Sequence, residues 1–267
     1  MDVTAPEFLP NPAREAAEME ALQRDIAERA VFADDHGVDP AALALDEPVD
    51  GDADAAGAQA TLAGDSPVVV GVDQAFTEDE AVSAAVAIRD GRVVERAYGT
   101  APLEIPYIPG LLAFREGGAI AAALESLAVD PDLLVLDGSG RIHFREAGIA
   151  THVGVLFDTP SVGVAKNLLC GTPADPVADR YLDAGERVPI EADESVETCA
   201  NGTVVGHYYQ SKQYENPARR HVNPLVVSPG HRVATETTVD LVAALCAGYK
   251  LPEPTRVADA TVGARTS

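Results

Sequence analysis

The chain predicts an α/β domain built on a mixed sheet with helices on both faces, and three observations carry that prediction. Val68-Val69-Val70-Gly71-Val72, Leu133-Leu134-Val135-Leu136 and Leu225-Val226-Val227 are continuous apolar runs, the pattern of strands covered on both faces. Alternating Ala, Val and Ile over 81–88, the turn Asp90-Gly91 and the run Val93–Tyr98 read as a hairpin that extends the same sheet. From residue 116 onward, segments of helical spacing alternate with short strands.

Residues 13–33 place Met19, Leu22, Ile26 and Ala30 at helical spacing among Glu and Arg, which predicts one amphipathic helix on the outside of the domain. From Asp34 to Asp65 the composition shifts to Ala, Asp, Gly and Glu, so this stretch reads as a solvated, mobile linker. Residues 1–65 hold sixteen acids against three arginines, more than half the net charge. The organisation is therefore an acidic helix and linker over 1–65, then the α/β domain over 66–267. Within that domain, a helix over about 147–157, a strand over 161–165, a strand pair near Val188 and Val204–Tyr208, and a final helix over about 235–247 follow the third strand.

Composition bounds the function. At 267 residues and 46% apolar content the chain can bury a large core. It has no apolar run near the roughly 18 residues of a membrane span and no basic, apolar leader, so a cytoplasmic monomer is expected. Cys170, Cys199 and Cys246 are odd in number and far apart, which suits reduced thiols. The net charge of −24 would ordinarily argue against a nucleic-acid partner. Yet only Lys166, Lys212 and Lys250 are lysines, against sixteen arginines. An acid-rich, lysine-poor chain fits a cytoplasm at molar salt, where the screening length falls to about 3 Å.

The chemistry gathers around Ile105-Pro106-Tyr107-Ile108-Pro109-Gly110, a stiff apolar tongue that leads into a helix. Glu116, Ile120, Leu124 and Leu127 share one stripe of that helix, so an acid faces inward and needs a cation or donors. Two buried strands end in Asp73 and Asp137, and in open α/β sheets sites form beyond the strands' carboxyl ends. Taken singly, each acid is as well explained as a cap or turn residue. Taken together, three mutually repelling carboxylates call for a hard divalent ion, Mg²⁺ or Mn²⁺. Lys166, just past the strand ending at Ala165, could meet a phosphate at the same edge. His231 and His143 are candidate proton or water partners.

With these residues in place, the sequence resembles the endonuclease V family. The segments that carry the resemblance are Gly71-Val72-Asp73, Pro106 through Gly110 and on to Phe114-Arg115-Glu116, and Asp137-Gly138-Ser139-Gly140. Gly148 through His152, Gly163 through Lys166, Asn223-Pro224, Gly230 through Val233 and Leu251 through Arg256 follow in the family's order. The resemblance implies an RNase H-like fold and a Mg²⁺-dependent nuclease of DNA repair, with Mn²⁺ able to substitute. Such an enzyme hydrolyses the second phosphodiester bond 3′ to deoxyinosine and leaves a 3′-hydroxyl and a 5′-phosphate. It implies Asp73, Glu116 and Asp137 as metal ligands, with Lys166 near the phosphate and His231 in the metal's water shell. It also implies Pro106, Tyr107, Ile108, Pro109 and Gly110 as a wedge, and Gly138, His143 and Gly148 around the extruded base. Inosine-containing RNA is an alternative substrate, and non-catalytic inosine binding a third reading. Ser139 stands where many members have His, Phe144 where Pro is usual, and Val257 where Trp is common.

Overall fold

A computed structural model of the chain describes residues 1–51, 66–177, 180–215 and 222–266. One nine-stranded mixed sheet runs through it in the order β3-β2-β1-β4-β5-β9-β8-β7-β6. The strands are β1 (Val69–Phe76), β2 (Glu80–Arg89), β3 (Arg92–Pro102), β4 (Leu133–Asp137), β5 (Ser161–Ala165), β6 (Thr172–Pro173), β7 (Arg187–Glu191), β8 (Val204–Tyr209) and β9 (Leu225–His231). β1, β4 and β5 are mutually parallel, whereas β9 runs against β5 and β8 against β9. Hence β1, β4, β5 and β8 all finish at one edge of the sheet, and β9 finishes at the other.

The apolar runs divide by parity, as a strand's period of two requires. Val70, Val72, Leu134 and Leu136 face one core, which packs on α1 (Ala16–Arg29), α3 (Leu112–Glu125) and α4 (Ile149–Phe157). Val69, Leu133, Val135, Val162 and Val164 face the opposite core, covered by α2 (Pro40–Leu43) and α5 (Thr235–Ala244). On that second face a last helix, α6 (Glu253–Thr266), lies across β1 and β2, with Val257 and Val262 packed on the sheet. Gly71 permits this approach, because a Cβ there would lie 2.1 Å from the Pro254 carbonyl oxygen. The mixed α/β architecture with helices on both faces is therefore as the sequence predicts. No helix among the described residues is long and apolar enough to cross a membrane.

The structure corrects several expectations. The described part of the 34–65 stretch is packed against the domain. Val38, Leu43 and Val49 are buried, and Asp34 accepts hydrogen bonds from Ala234 N (2.8 Å) and Thr237 Oγ1 (2.7 Å) at the start of α5. This chain is mostly extended and buries one side chain at a time, which leaves no periodicity to read. Residues 52–65 of the expected linker lie outside the described residues. The helix after the tongue does begin almost at once, at Leu112, as expected. β1 continues past Asp73 to Phe76 along β2, although its pairing with β4 stops at Val72. The expected final helix ends at Ala244, and Gly248 (φ +79°) turns the chain into α6, which the sequence reading omits. Pro252 and Pro254 hide that helix, although Pro254 sits in its first turn, where proline is tolerated.

Candidate active site

Register assembles the carboxylates. The parallel pairing of β1 with β4 aligns Val72 with Leu136, so the next residues, Asp73 and Asp137, lie side by side. Both share the parity of Val69 and Val135 and so project to the α5–α6 face. Lys166 follows β5 on the same parity, and its Nζ lies 3.2 Å from Asp137 Oδ2. From the other face, α3 brings Glu116, only 6% exposed, to the same edge, where it feels the charge of Asp137.

Electrostatics at this edge are unfavourable without a cation. Burial, then the charge of Asp137, pushes Asp73 up to about 8, and its protonated form shares hydrogen bonds with Asp259 and Asp137. Burial raises Glu116 to about 7, with Arg115 opposing the shift and Asp137 adding to it. Lys166 is held above its usual range, chiefly by Asp137. Among the described residues no three His, Cys, Asp or Glu side chains converge tightly enough to form a ready-made ion site. The donor set is nonetheless that of a hard cation: oxygen ligands whose mutual repulsion a divalent ion would relieve.

Asp259 is the residue the sequence reading missed. It lies on α6, three residues after the Pro252–Arg256 segment, and its only sequence signal was helical spacing beyond two prolines.

The tongue stands beside the acids. Tyr107 is 62% and Ile108 39% exposed, large apolar side chains held out to solvent. Gly110 closes the tongue at φ +83°, and a Cβ there would lie 2.9 Å from the Phe144 ring. Its carbonyl accepts from Gln23 Nε2 at 2.7 Å and from His143 Nε2 at 3.0 Å. His143 Nδ1 accepts from Arg145 N (3.1 Å), so the ring is the neutral Nε2–H tautomer, and burial lowers its pKa to about 4. Gln23, Tyr107, Gly110, Ser139, His143 and Gly148 line a pocket with about 380 Å³ of empty space open to solvent. Gln23, from the helix expected to be merely external, was not foreseen there.

One assignment changes. His231 pairs with Ser161, at the start of β5, because β9 is antiparallel. It therefore sits at the opposite sheet edge from Lys166, roughly 16 Å away at strand spacing. Its Nε2 lies 3.1 Å from Asp158 Oδ1, and its Nδ1 accepts from Val31 N. It is not part of this site. Gly148 lines the pocket, and both Gly138 and Gly148 are also required by the protein's own packing. A Cβ at Gly138 would meet Ile149 Cγ2 at 2.5 Å, and one at Gly148 would meet the Ser139 carbonyl at 2.3 Å.

The chain is similar to known proteins in sequence and fold. The family model described as endonuclease V matches residues 56–260. The chain belongs to the endonuclease V family. An endonuclease V of Halobacterium salinarum is 62% identical over 260 residues, covering 97% of each chain. One from Haloarcula marismortui is 56% identical over 256 residues, covering 95% of this chain and 93% of its own. The crystal structure of endonuclease V from Streptomyces avermitilis, 31% identical, superposes with a TM-score of 0.71 over 98% of this chain and 96% of its own. The RNase H-like fold follows, as does a reaction: endonuclease V enzymes are phosphodiester hydrolases that cleave DNA 3′ to deoxyinosine. The similarity to halophilic relatives also accounts for the acidity.

Proposed function

We propose that this chain hydrolyses the second phosphodiester bond 3′ to a deoxyinosine, leaving a 3′-hydroxyl and a 5′-phosphate, with Mg²⁺ held by Asp73, Glu116 and Asp137. The observation that carries this is that Asp73 and Asp137 lie side by side where the parallel pairing of β1 with β4 ends, beside the exposed tongue and its pocket. Asp259 joins that ligand set through its hydrogen bond with Asp73. Bound there, a divalent ion supplies Lewis-acid stabilisation of phosphate oxygens and a deprotonated water, and Mn²⁺ serves the same oxygen donors.

The remaining steps belong to the chain's own groups. Tyr107 and Ile108 enter the duplex as an apolar wedge, which offsets the cost of unstacking a damaged base. The base enters the pocket, where Ser139 and the Gly148 backbone offer polar contacts. Neutral His143 and Gln23 pin the Gly110 carbonyl, so the wedge keeps a fixed position relative to α3 and Glu116. Lys166 exchanges its contact with Asp137 for one with the scissile phosphate once the carboxylate is engaged.

The test is cleavage in molar KCl with Mg²⁺ of matched oligonucleotides carrying deoxyinosine, inosine in RNA, or neither. A single nick 3′ to the deoxyinosine, lost with chelator and with Asp137→Ala, is expected. Equal cutting of undamaged DNA would remove the specificity claim, and faster cutting of the RNA would reassign the substrate.

A further inference from the structure

The three lysines of this chain are dispersed in sequence, at positions 166, 212 and 250, yet the fold gathers them at one sheet edge. β5 and β8 run in the same direction, and Ala165 and Tyr208 both align with Val226 of the strand between them. Lys166 and Lys212 therefore leave the sheet at the same edge. Ser211 Oγ donates to the Lys250 carbonyl at 2.5 Å, and Lys212 Nζ donates to the Gly248 carbonyl at 2.6 Å, so the turn before α6 is tied to that edge. Tyr249, in this turn, is 48% exposed. Its ring lies 4.7 Å from the Arg256 guanidinium and 5.9 Å from Lys212 Nζ.

Lys166 has Asp137 as its partner, whereas among the described residues Lys250 has no such carboxylate against it. Lys250 is partly desolvated and close enough to feel the charge of Lys166, and both effects disfavour its ammonium. Among the described residues that ammonium makes no hydrogen bond or ion pair, in a chain where forty-three acids could have supplied one. Backbone phosphates would relieve the repulsion, and an exposed aromatic ring flanked by cations suits a stacked base.

Position decides which part of the strand it holds. The base pocket opens on the α1–α3–α4 side, the acids and Lys166 lie where the pairing of β1 with β4 ends, and Lys212 and Lys250 lie beyond them on the α5–α6 side. A strand crossing in that order places the lesion first, the scissile bond next and the lysines last.

We infer that Lys250, Lys212 and Tyr249, next to Lys166, form a ledge that binds the nucleotides 3′ of the scissile bond, phosphates on the two lysines and a base against Tyr249. The polarity of this assignment rests on the proposed cleavage 3′ to the lesion; the existence of the ledge does not.

The test uses the full chain in KCl titrations from 0.5 to 2 M. Binding by fluorescence anisotropy and cleavage are both read, on deoxyinosine duplexes with either a ten-nucleotide arm or a two-nucleotide arm beyond the cut. On the long arm, Tyr249→Ala and Lys250→Ala should each raise the dissociation constant about tenfold, as loss of one stacked base or one phosphate contact does. Lys250→Ala should also flatten the salt dependence by about one ion, and Lys250→Arg should restore it. Shortening the arm should cost the wild type a similar factor, and the losses should overlap: each variant falls less than about twofold further on the short arm. Equal losses on both arms, or overlap only when the opposite arm is shortened, would overturn the ledge as placed. An unchanged salt slope would remove the phosphate contact. If the wild type binds with these signatures but does not cut, the nuclease reading fails and the ledge stands; if it cuts normally and the variants bind like wild type, only the ledge fails.

Discussion

Asp73 and Glu116 are acids that fold into a place where they prefer to be protonated, at about 8 and about 7 against ordinary values of 3.8 and 4.5. Between those limits the folded chain holds more protons than the unfolded one, so stability falls as pH rises through that window. Without divalent ions, the melting temperature should therefore drop by several degrees between pH 5 and pH 8, since each kcal/mol moves it by about 2–4 °C at this size. Asp73→Asn should flatten much of the slope; an equally steep profile in that variant would show that the titrating group lies elsewhere. Because metal and proton compete for the same oxygens, Mg²⁺ should raise the melting temperature more at pH 8 than at pH 6. Loss of Asp137 removes the partner of Lys166 and, on the proposed assignment, a metal ligand. Asp137→Ala should lower the cleavage rate by at least about a hundredfold, the scale of one transition-state electrostatic partner.

Single elements carry more than their length suggests. The tongue is anchored through one carbonyl, that of Gly110, which Gln23 of α1 and His143 of the β4–α4 connection both bind. Tyr107→Ala should raise half-saturation by deoxyinosine duplex about tenfold or more, from the roughly 1–3 kcal/mol of a stacking contact. Mg²⁺ affinity, followed by calorimetry, should stay unchanged; a parallel fall in metal affinity would contradict the wedge role. α6 depends on Gly71 in the same way. Gly71→Ala drives a methyl group into the Pro254 carbonyl and should cost about 1–3 kcal/mol, read as a lower denaturation midpoint. It should also depress cleavage by displacing Asp259, although position 71 touches no substrate.

At the scale of the whole molecule, a net charge of −24 sets the conditions under which everything else holds. Self-repulsion at that charge is relieved only when the screening length shrinks to a few ångströms. The melting temperature should climb steadily between 0.1 and 2 M KCl, and an unchanged value would remove the halophilic explanation. The acids over 34–50 are part of this balance but are not only solvating. Asp34 caps α5, and Arg232 pairs with Asp35 at 3.2 Å, so part of the acidic stretch is a structural strap.

How far this protein could be read without coordinates differs by residue. Val69–Val72, Leu133–Leu136 and the Glu116 stripe announced the core strands, the inward acid and the pair Asp73–Asp137, because burial forces periodicity and periodicity is written in the chain. The family motifs, dense over residues 71–166, named the reaction. His231 was misplaced because a strand's direction leaves no mark in its composition: Ser-Pro-Gly-His follows an apolar run whether the run is parallel or antiparallel. Asp259 was missed because its place beside Asp73 comes from a helix laid across the sheet, 186 positions later in the sequence. The gathering of Lys166, Lys212 and Lys250 had the same origin. The sequence by itself determined which residue types were available and which faces had to be buried. Only the tertiary structure decided which of them meet, since that depends on strand direction and register, properties of pairs of segments and of neither segment alone.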